Sequence, residues 1–295
     1  MSPPLPSTSA RADGGVPSLT IVLPVYNEAA RIEPALAELF GYLRRRGPAR
    51  SGGRAPQEVP EWDVLIVDDG SSDGTVAVIE ALAEAQAGPN EHPPLRILRR
   101  PHLGKGAAVA AGVMSATGDL VVFADADMAT PPDQIPLLTE ALVDHDLALG
   151  SRLQPDGSDR RARQPWSRRL LGRLYRLLAG AWVTGDVPDT QCGFKGFRRE
   201  VGRDLFSRLR TDGIVFDAEI IYLARRRGYS MTVVPVMWHD VRGSRMRVRP
   251  TLALSVLWDL VRIPILHRVV GEAPPGATLD ARLPTPPSNG VRDPD

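Results

Sequence analysis

A short apolar run that ends in two carboxylates constrains the fold of this chain more than any other stretch. Residues 120–124 read Leu-Val-Val-Phe-Ala, and Asp125 and Asp127 follow directly, one residue apart. The turn residues at 118–119 precede the run, and two prolines at 131–132 end the stretch. A short apolar run between turn residues, with β-branched and aromatic members, is typical of a buried strand. The sequence therefore places two carboxylates at the carboxyl end of a central strand.

The spacing of Asp125 and Asp127 suggests a metal site. Successive strand residues point to opposite faces, so residues two apart share a face. Open α/β sheets bind their ligands at the carboxyl ends of the strands. Two carboxylates held there repel each other unless a cation lies between them, and a hard divalent ion shared with substrate phosphates fits that arrangement. The alternative is a solvated strand end with turn aspartates, because an Asp-x-Asp triplet alone has low specificity.

The first half of the chain alternates between strand and helix patterns. Apolar strands are predicted at residues 18–25, 62–68, 95–98 and 120–124, and each of the first three is followed by a helical pattern. This alternation predicts an α/β fold with a mostly parallel central sheet and helices on both faces. Neither of the first two strands is followed by Gly-x-Gly-x-x-Gly, which argues against a dinucleotide-dependent oxidoreductase.

The composition narrows the classes of function and bounds the domain. The 295 residues carry a net charge of +1, so electrostatics exclude the whole chain as a nucleic-acid binder. Cys192 is the only cysteine, which excludes an intrachain disulfide and favours a reducing compartment. Residues 1–18 and 272–295 are poor in apolar residues and rich in turn formers such as proline, so we expect a disordered leader and tail around one domain at 19–271.

Two segments of the second half have patterns of membrane-surface helices. Residues 160–182 place seven arginines among Trp, Tyr and Leu residues, as expected at an anionic membrane surface. The alternative for this segment is a solvated face on an ordinary packing helix. Residues 251–271 are apolar and amphipathic, but charged residues and a proline interrupt them. They would lie on a membrane or pack on the domain, and no apolar segment of the sequence is long enough to span a bilayer.

Several motifs, taken in order, carry a resemblance to a known family. They are Pro-Val-Tyr-Asn-Glu at 24–28, Asp-Asp-Gly-Ser-Ser-Asp-Gly-Thr at 68–75, Gly-Lys-Gly at 104–106 and Asp-Ala-Asp at 125–127. Together they resemble the inverting family 2 glycosyltransferases of GT-A fold. Further stretches at 189–195, 216–219 and 243–245 look like those of dolichyl-phosphate β-glucosyltransferases and their bacterial polyprenyl-phosphate relatives. The resemblance covers residues 19–267.

The resemblance implies a fold and an activity, and the two membrane-surface patterns imply a location. The fold would be GT-A, the Rossmann-like fold of nucleotide-diphospho-sugar transferases. The activity would be an inverting transfer of a hexose, with glucose favoured, from UDP-glucose to polyprenyl or dolichyl phosphate. A soluble hydroxyl acceptor is one alternative, and a sugar-nucleotide-binding protein without turnover is another. We expect a cytoplasmic enzyme that is peripheral at the inner face of the plasma membrane.

The resemblance also assigns residues to the site. Those expected to hold the nucleotide sugar are Pro24, Tyr26, Asn27, Glu28, Asp68, Asp69, Lys105, Asp125 and Ala126. Mg²⁺ or Mn²⁺ would bind Asp125 and Asp127. His239 is a further candidate ligand because of its own place at a strand end, and the alternative for it is a core histidine. Those expected to serve the acceptor and catalysis are Asp189, Asp217, Arg242 and Arg245. The two arginines would meet phosphates, whereas each aspartate would be either a general base or an orienting group.

Overall fold

A seven-stranded mixed sheet forms the centre of the fold. The computed structural model describes residues 17–46, 61–86, 95–154, 156, 158, 179–239 and 250–271. The strands are β1 (Leu19–Val25), β2 (Trp62–Asp68), β3 (Leu95–Arg99), β4 (Leu120–Ala124), β5 (Leu147–Ser151), β6 (Phe194–Arg198) and β7 (Met231–Pro235). The α-helices are α1 (Ile32–Arg46), α2 (Thr75–Gln86), α3 (Lys105–Ser115), α4 (Ile135–Ala141), α5 (Arg199–Phe206), α6 (Phe216–Arg227) and α7 (Pro250–Leu266). A 3₁₀ turn at Pro132–Gln134 precedes α4, and a π-helical turn lies at Gly180–Thr184.

The strand order brings the motif-bearing loops to one edge of the sheet. The order is β3-β2-β1-β4-β6-β5-β7. Strand β6 runs antiparallel between β4 and β5, and the other neighbouring pairs are parallel. The prediction of a mostly parallel sheet is confirmed. Because β6 is reversed, the loop that precedes it meets the loops that follow the parallel strands. We call this edge the carboxyl edge.

Helices cover both faces of the sheet, as the sequence predicted. Helices α1, α2 and α4 pack on one face, where Leu23 and Ile66 are fully buried. Helices α3, α5 and α6 pack on the other, where the neighbouring residues Val22 and Val67 are fully buried. Strands covered on both faces read as continuous apolar runs rather than alternating ones. Gly112 of α3 lies against β1, and a Cβ there would fall 2.3 Å from Val22 Cγ1, so the close helix–sheet contact requires glycine.

The folded domain begins before β1, which corrects the predicted end of the leader. Ser18 is buried, and both its N–H and its hydroxyl donate to Asp119 Oδ2, at 2.9 and 2.8 Å. Its carbonyl accepts the Leu120 N–H at 2.9 Å. Ser18 thus joins the starts of β1 and β4, a long-range contact that composition does not reveal. Residues 1–16 and 272–295 lie outside the described residues.

The segment predicted to be amphipathic at 251–271 packs on the domain with one face. Leu260 and Ile263 of α7 are buried against α6 and the π-helical turn. Just after α7, His267 Nε2 lies 2.6 Å from Glu219 Oε1, and both side chains are buried. The backbone N–H groups of Arg210 and Thr211 donate to the same carboxylate at 2.7 and 2.9 Å. Glu219 is therefore the buried anchor of α7.

The outward face of α7 remains apolar. Leu257, Trp258, Val261 and Ile265 are all exposed, Trp258 by 66%. None of the helices in the described ranges is long and apolar enough to cross a membrane. Of the basic segment predicted at 160–182, only residues 179–182 are described, so its seven arginines lie outside the described residues.

We predict that Glu219→Ala strongly destabilises the fold. The substitution removes the acceptor of the Arg210 and Thr211 N–H groups and the partner of the buried His267, and breaking such a buried pair costs about 3–5 kcal/mol. Urea unfolding followed by circular dichroism measures the change. The matched control is Glu200→Ala on α5, an exposed acid expected to cost about 0.5 kcal/mol or less. Equal losses for the two variants would show that the Glu219 carboxylate does not anchor α7.

Candidate active site

The loop after β1 is fastened to the turn after β2. Asn27 has a φ of 53°, in the left-handed region that asparagine tolerates. Its N–H donates to Ser71 Oγ at 2.9 Å, and its side-chain oxygen accepts the Ser72 N–H at 2.8 Å. The Glu28 N–H donates to Thr75 Oγ1 at 2.8 Å, while the Glu28 carboxylate binds Arg31 through two hydrogen bonds of 2.6 and 2.8 Å. Both residues thus build the loop that presents Tyr26.

The two aspartates at the end of β2, Asp68 and Asp69, hold loops through hydrogen bonds. Asp68 Oδ1 accepts the Ser71 N–H at 3.1 Å. The buried Asp69 carboxylate accepts the N–H groups of Leu103 and Gly104 at 3.0 and 2.9 Å. These bonds place the start of α3, and with it Lys105, beside the end of β2. A nucleoside role for Asp68 and Asp69 stays a prediction, but their contribution to the shape of the site is visible.

A stacked pair of rings, which the sequence analysis missed in part, lies beside Asp69. The Tyr26 and His102 rings are 3.9 Å apart and inclined by 14°, and Tyr26 is 42% exposed. His102 Nδ1 lies 2.8 Å from Asp69 Oδ2. A single histidine in a loop belongs to no periodic sequence pattern. Its position two residues before Gly104 is the one sequence feature that indicates a place near the site. The pair provides a flat, partly exposed aromatic surface at the carboxyl edge.

Lys105 and Asp125 form an ion pair at the centre of the carboxyl edge. Lys105 Nζ donates to Asp125 Oδ1 at 2.5 Å, and both side chains are about one-third exposed, at 35% and 38%. Burial disfavours the ammonium, but the carboxylates of Asp125 and Asp217 outweigh it and raise the pKa of Lys105. Lys105 therefore brings a firmly held positive charge to the carboxylates.

Asp127 is the poorly compensated carboxylate of this group. Its Oδ1 accepts the Ala129 N–H at 3.1 Å, across a turn in which Met128 has a φ of 48°. Burial raises the pKa of Asp127, and the negative charge of Asp125 raises it further. A second cation at this position would stabilise the ionised form. The paired carboxylates therefore fit a divalent ion.

The described residues supply two carboxylates for such an ion rather than a closed cage. No group of three or more His, Cys, Asp or Glu side chains that could hold a metal occurs in the part of the chain that is described. His239 reaches the same turn through its backbone, whose N–H donates to Ala129 O at 2.8 Å, but its ring as a ligand stays a prediction. Mg²⁺ typically takes one or two carboxylates and completes its shell with water and substrate phosphates, which matches Asp125 and Asp127.

The two predicted catalytic aspartates each face a cation. Asp189 is buried and accepts Arg152 Nε and Nη2, both at 2.7 Å, as well as the Arg152 backbone N–H at 3.0 Å. Asp217 is buried on the first turn of α6 and accepts Lys195 Nζ at 2.6 Å. Burial raises the pKa of Asp217, although Lys195 opposes the shift. Both carboxylates are thus committed to ion pairs, so the geometry favours the orienting alternative over a general base.

The remaining predicted site residues are placed as follows. Pro24 lies in β1 opposite Val67 of β2, and Ala126 is buried between the two carboxylates in sequence. Arg242 and Arg245 lie outside the described residues, so their meeting with phosphates stays a prediction. The structure therefore brings the motifs of β1, β2, α3, β4 and β6 to one edge, where acidic and basic groups suit a metal and a phosphorylated ligand.

Comparison with known structures agrees on the fold. The glucosyl-3-phosphoglycerate synthase of Mycobacterium tuberculosis, crystallised with Mn²⁺, UDP and phosphoglyceric acid, aligns with a TM-score of 0.56 at 20% identity, covering 88% of this chain and 81% of that one. The mannosyltransferase PcManGT of Pyrobaculum calidifontis, solved with GDP-Man and Mn²⁺, aligns with a TM-score of 0.52 at 19% identity, covering 89% and 75%. At these identities the likeness establishes the GT-A fold.

Comparison with known sequences identifies the family. The profile described as Glycosyl transferase family 2 matches residues 20–206. A dolichyl-phosphate beta-glucosyltransferase of Trichomonas vaginalis is 34% identical over 258 residues, which are 84% of this chain and 71% of the relative. The enzyme of the same name from Saccharomyces cerevisiae is 30% identical over 255 residues, 82% and 73% of the two chains. The chain therefore belongs to glycosyl transferase family 2 and is a glycosyltransferase of GT-A fold.

Proposed function

We propose that this glycosyltransferase transfers glucose, with inversion, from UDP-glucose to a polyprenyl phosphate such as dolichyl phosphate. The observation that carries the proposal is the charge arrangement at the carboxyl edge. There the Asp125 carboxylate contacts Lys105, and Asp127 lies beside it with a raised pKa. This arrangement suits a diphosphate bound together with a divalent ion. The match to the dolichyl-phosphate beta-glucosyltransferases covers more of the chain than the family profile does. It supports the choice of sugar and acceptor.

The donor would lie across the loops after β1, β2 and β3. The exposed face of Tyr26, stacked on His102, offers a stacking surface for the base, and Asp68 and Asp69 would bind the nucleoside. Lys105 would meet the diphosphate. Asp125 and Asp127 would hold Mg²⁺ or Mn²⁺, which when bound neutralises charge on the leaving diphosphate.

The acceptor needs orientation more than it needs a base. A phosphate monoester has a second pKa near ~6, so it is already an anionic nucleophile at neutral pH. This fits the structure, because Asp189 and Asp217 are paired with the cationic side chains of Arg152 and Lys195. We infer that these aspartates fix Arg152 and Lys195, while Arg242 and Arg245 of the basic motif would receive the acceptor phosphate.

A lipid acceptor requires contact with a membrane, and α7 has a suitable surface. Trp258, Val261 and Ile265 lie on its exposed face, next to Trp182, whose Nε1 donates to Val261 O at 3.3 Å. Aromatic and aliphatic residues on one exposed face of a helix fit the apolar side of a bilayer interface. We propose a cytoplasmic enzyme that is peripheral at the inner face of the plasma membrane.

A panel of donors and acceptors tests the proposed reaction. Radiolabelled UDP-glucose and GDP-mannose are each incubated with a polyprenyl phosphate or with 3-phosphoglycerate. The lipid product is scored by partition into organic solvent, and the soluble product by chromatographic separation from the labelled donor. We expect label in the organic phase only with UDP-glucose and the polyprenyl phosphate. Transfer to 3-phosphoglycerate alone would favour a soluble acceptor. No transfer from any donor would favour a binding protein without turnover.

We predict that Asp127→Asn reduces turnover more than a hundredfold, because it removes a charged metal ligand. The same variant should be slightly more stable than wild type in EDTA. The pKa of Asp127 is raised above the usual 3.8, so the native state binds this proton more readily than the unfolded chain, and ionisation costs stability as the pH rises above that value.

The two arms of this prediction are read separately. Labelled-sugar transfer measures turnover, and thermal unfolding in EDTA at neutral pH measures stability. Asp133→Asn, at an exposed acid in the adjacent 3₁₀ turn, is the control and should match wild type in both. Full wild-type activity in EDTA would refute the metal assignment, and a less stable Asp127→Asn would refute the proposed charge repulsion.

We predict that wild-type protein floats with anionic liposomes at low salt, and that Trp258→Gln with Ile265→Gln weakens binding about tenfold or more. Burying either apolar side chain contributes about 1.5–3 kcal/mol, which the double variant loses. The control is Val143→Gln with Met114→Gln, two exposed apolar residues outside α7. Equal flotation of the two double variants would exclude the α7 face, and no flotation of wild type would exclude peripheral binding.

A further inference from the structure

The loop before β6 lies directly against the Asp125 carboxylate. The Asp125 N–H donates to Gly193 O at 3.0 Å. A Cβ at Gly193 would fall 2.1 Å from Asp125 Oδ2 and 2.4 Å from Oδ1, so the α-carbon of Gly193 faces the carboxylate at very short range. The backbone on the other side of Asp125 is set by β4. The loop therefore forms a wall that limits where this carboxylate can point.

Buried ion pairs hold this wall at both ends. At its start, Asp189 accepts two side-chain hydrogen bonds from Arg152, which follows β5. At its end, Lys195 Nζ donates to Cys192 O and to Asp217 Oδ1, both at 2.6 Å, and the Lys195 side chain is only 1% exposed. The bond to Cys192 O ties the ammonium to the residue just before Gly193.

We propose that Gly193 and Lys195 are positioning residues that hold the Asp125 carboxylate toward Lys105. This inference deepens the proposed function, because the same carboxylate is a ligand of the proposed metal. Lys195 acts through the loop, because its ammonium fixes the Cys192 carbonyl. The adjacent Gly193 leaves room for the Asp125 carboxylate, and the Gly193 carbonyl fixes the Asp125 backbone N–H. A larger residue at 193 would displace the carboxylate without any loss of charge at the site.

The burial of Lys195 and Asp217 supports a positioning role. An apolar pair of similar size in a buried location is often as stable as an ion pair, so stability alone does not require these charges. An apolar side chain at Lys195, however, has no donor for Cys192 O. The Lys195 ammonium therefore fixes the loop through the Cys192 carbonyl, which an apolar side chain would leave without a donor.

Gly193→Ala is the direct test, because its clash is with the free end of a side chain. Gly193 does not have a positive φ, so alanine fits its backbone, and Asp125 can relieve the contact by rotating its carboxylate. We expect a melting temperature within about 4 °C of wild type. We expect Mn²⁺ affinity, titrated by electron paramagnetic resonance, and kcat each to fall about 10–100-fold, as for other losses around metal ligands. Gly213→Ala is the control, since a Cβ there meets nothing within 4 Å.

A second readout separates this inference from the metal proposal. Rotation of the Asp125 carboxylate would leave Lys105 without its close partner, so Lys105 should become more reactive toward an acylating reagent, as quantified by mass spectrometry. If wild type binds no Mn²⁺, the metal proposal fails, but the Lys105 labelling still decides the positioning role. The inference would be overturned if Lys105 in Gly193→Ala were labelled to the same extent as in wild type. Where wild type binds Mn²⁺, the variant would also have to bind Mn²⁺ with wild-type affinity.

Lys195 is tested with both charges removed, since Lys195→Met alone would leave Asp217 buried without its cation. The double variant Lys195→Met with Asp217→Leu should remain folded. Its Lys105 labelling is compared with that of Asp217→Asn, which removes the same carboxylate charge near Lys105 but keeps the bond from Lys195 to Cys192 O. We expect more Lys105 labelling in the double variant than in Asp217→Asn. Lys195→Arg in the wild-type background keeps the positive charge and a donor for Cys192 O, so its Lys105 labelling should stay near that of wild type. A folded double variant whose Lys105 is labelled no more than in Asp217→Asn would show that the ammonium does not position the loop.

Discussion

The repulsion among carboxylates crowded at the carboxyl edge is the constraint on which the rest of this site depends. The fold brings Asp69, Asp125, Asp127, Asp189 and Asp217 to the same edge of one sheet. Four of them have strong partners: backbone N–H groups for Asp69, Lys105 for Asp125, Arg152 for Asp189 and Lys195 for Asp217. Asp127 instead accepts a backbone N–H from Ala129 and has a raised pKa. The position next to it is where a further cation stabilises the site.

The first turn of α6 joins this edge to the C-terminal helix. Asp217 points to Lys195 beside the site, and two residues later Glu219 binds His267 at the end of α7. The same short segment therefore sets both the wall behind Asp125 and the placement of the helix with the exposed apolar face. A lipid-bound α7 and a lipid-phosphate acceptor would then be oriented by one rigid element.

Much of this arrangement was predictable from sequence because it follows from local patterns. Apolar runs and turn residues predicted the strands, and the parallel direction implied by helical crossovers placed Asp68 and Asp125 at one edge. The insertion of β6 between β4 and β5 was not predictable, since no local pattern encodes the neighbours of a strand. For the same reason the partners of Asp189 and Asp217 were not predictable, and the sequence left open whether each aspartate is a general base or an orienting group. The burial of Ser18 was hidden in a segment of loop-like composition.

The central claim is that Asp125 and Asp127 share a divalent ion with the donor diphosphate. The most direct measurement is a crystal structure with Mn²⁺ and UDP, using data collected at the manganese absorption edge. The account predicts an anomalous peak in contact with both carboxylates and with diphosphate oxygens. Ordered UDP at the carboxyl edge with no anomalous peak at these two residues, and with Lys105 alone against Asp125, would contradict it.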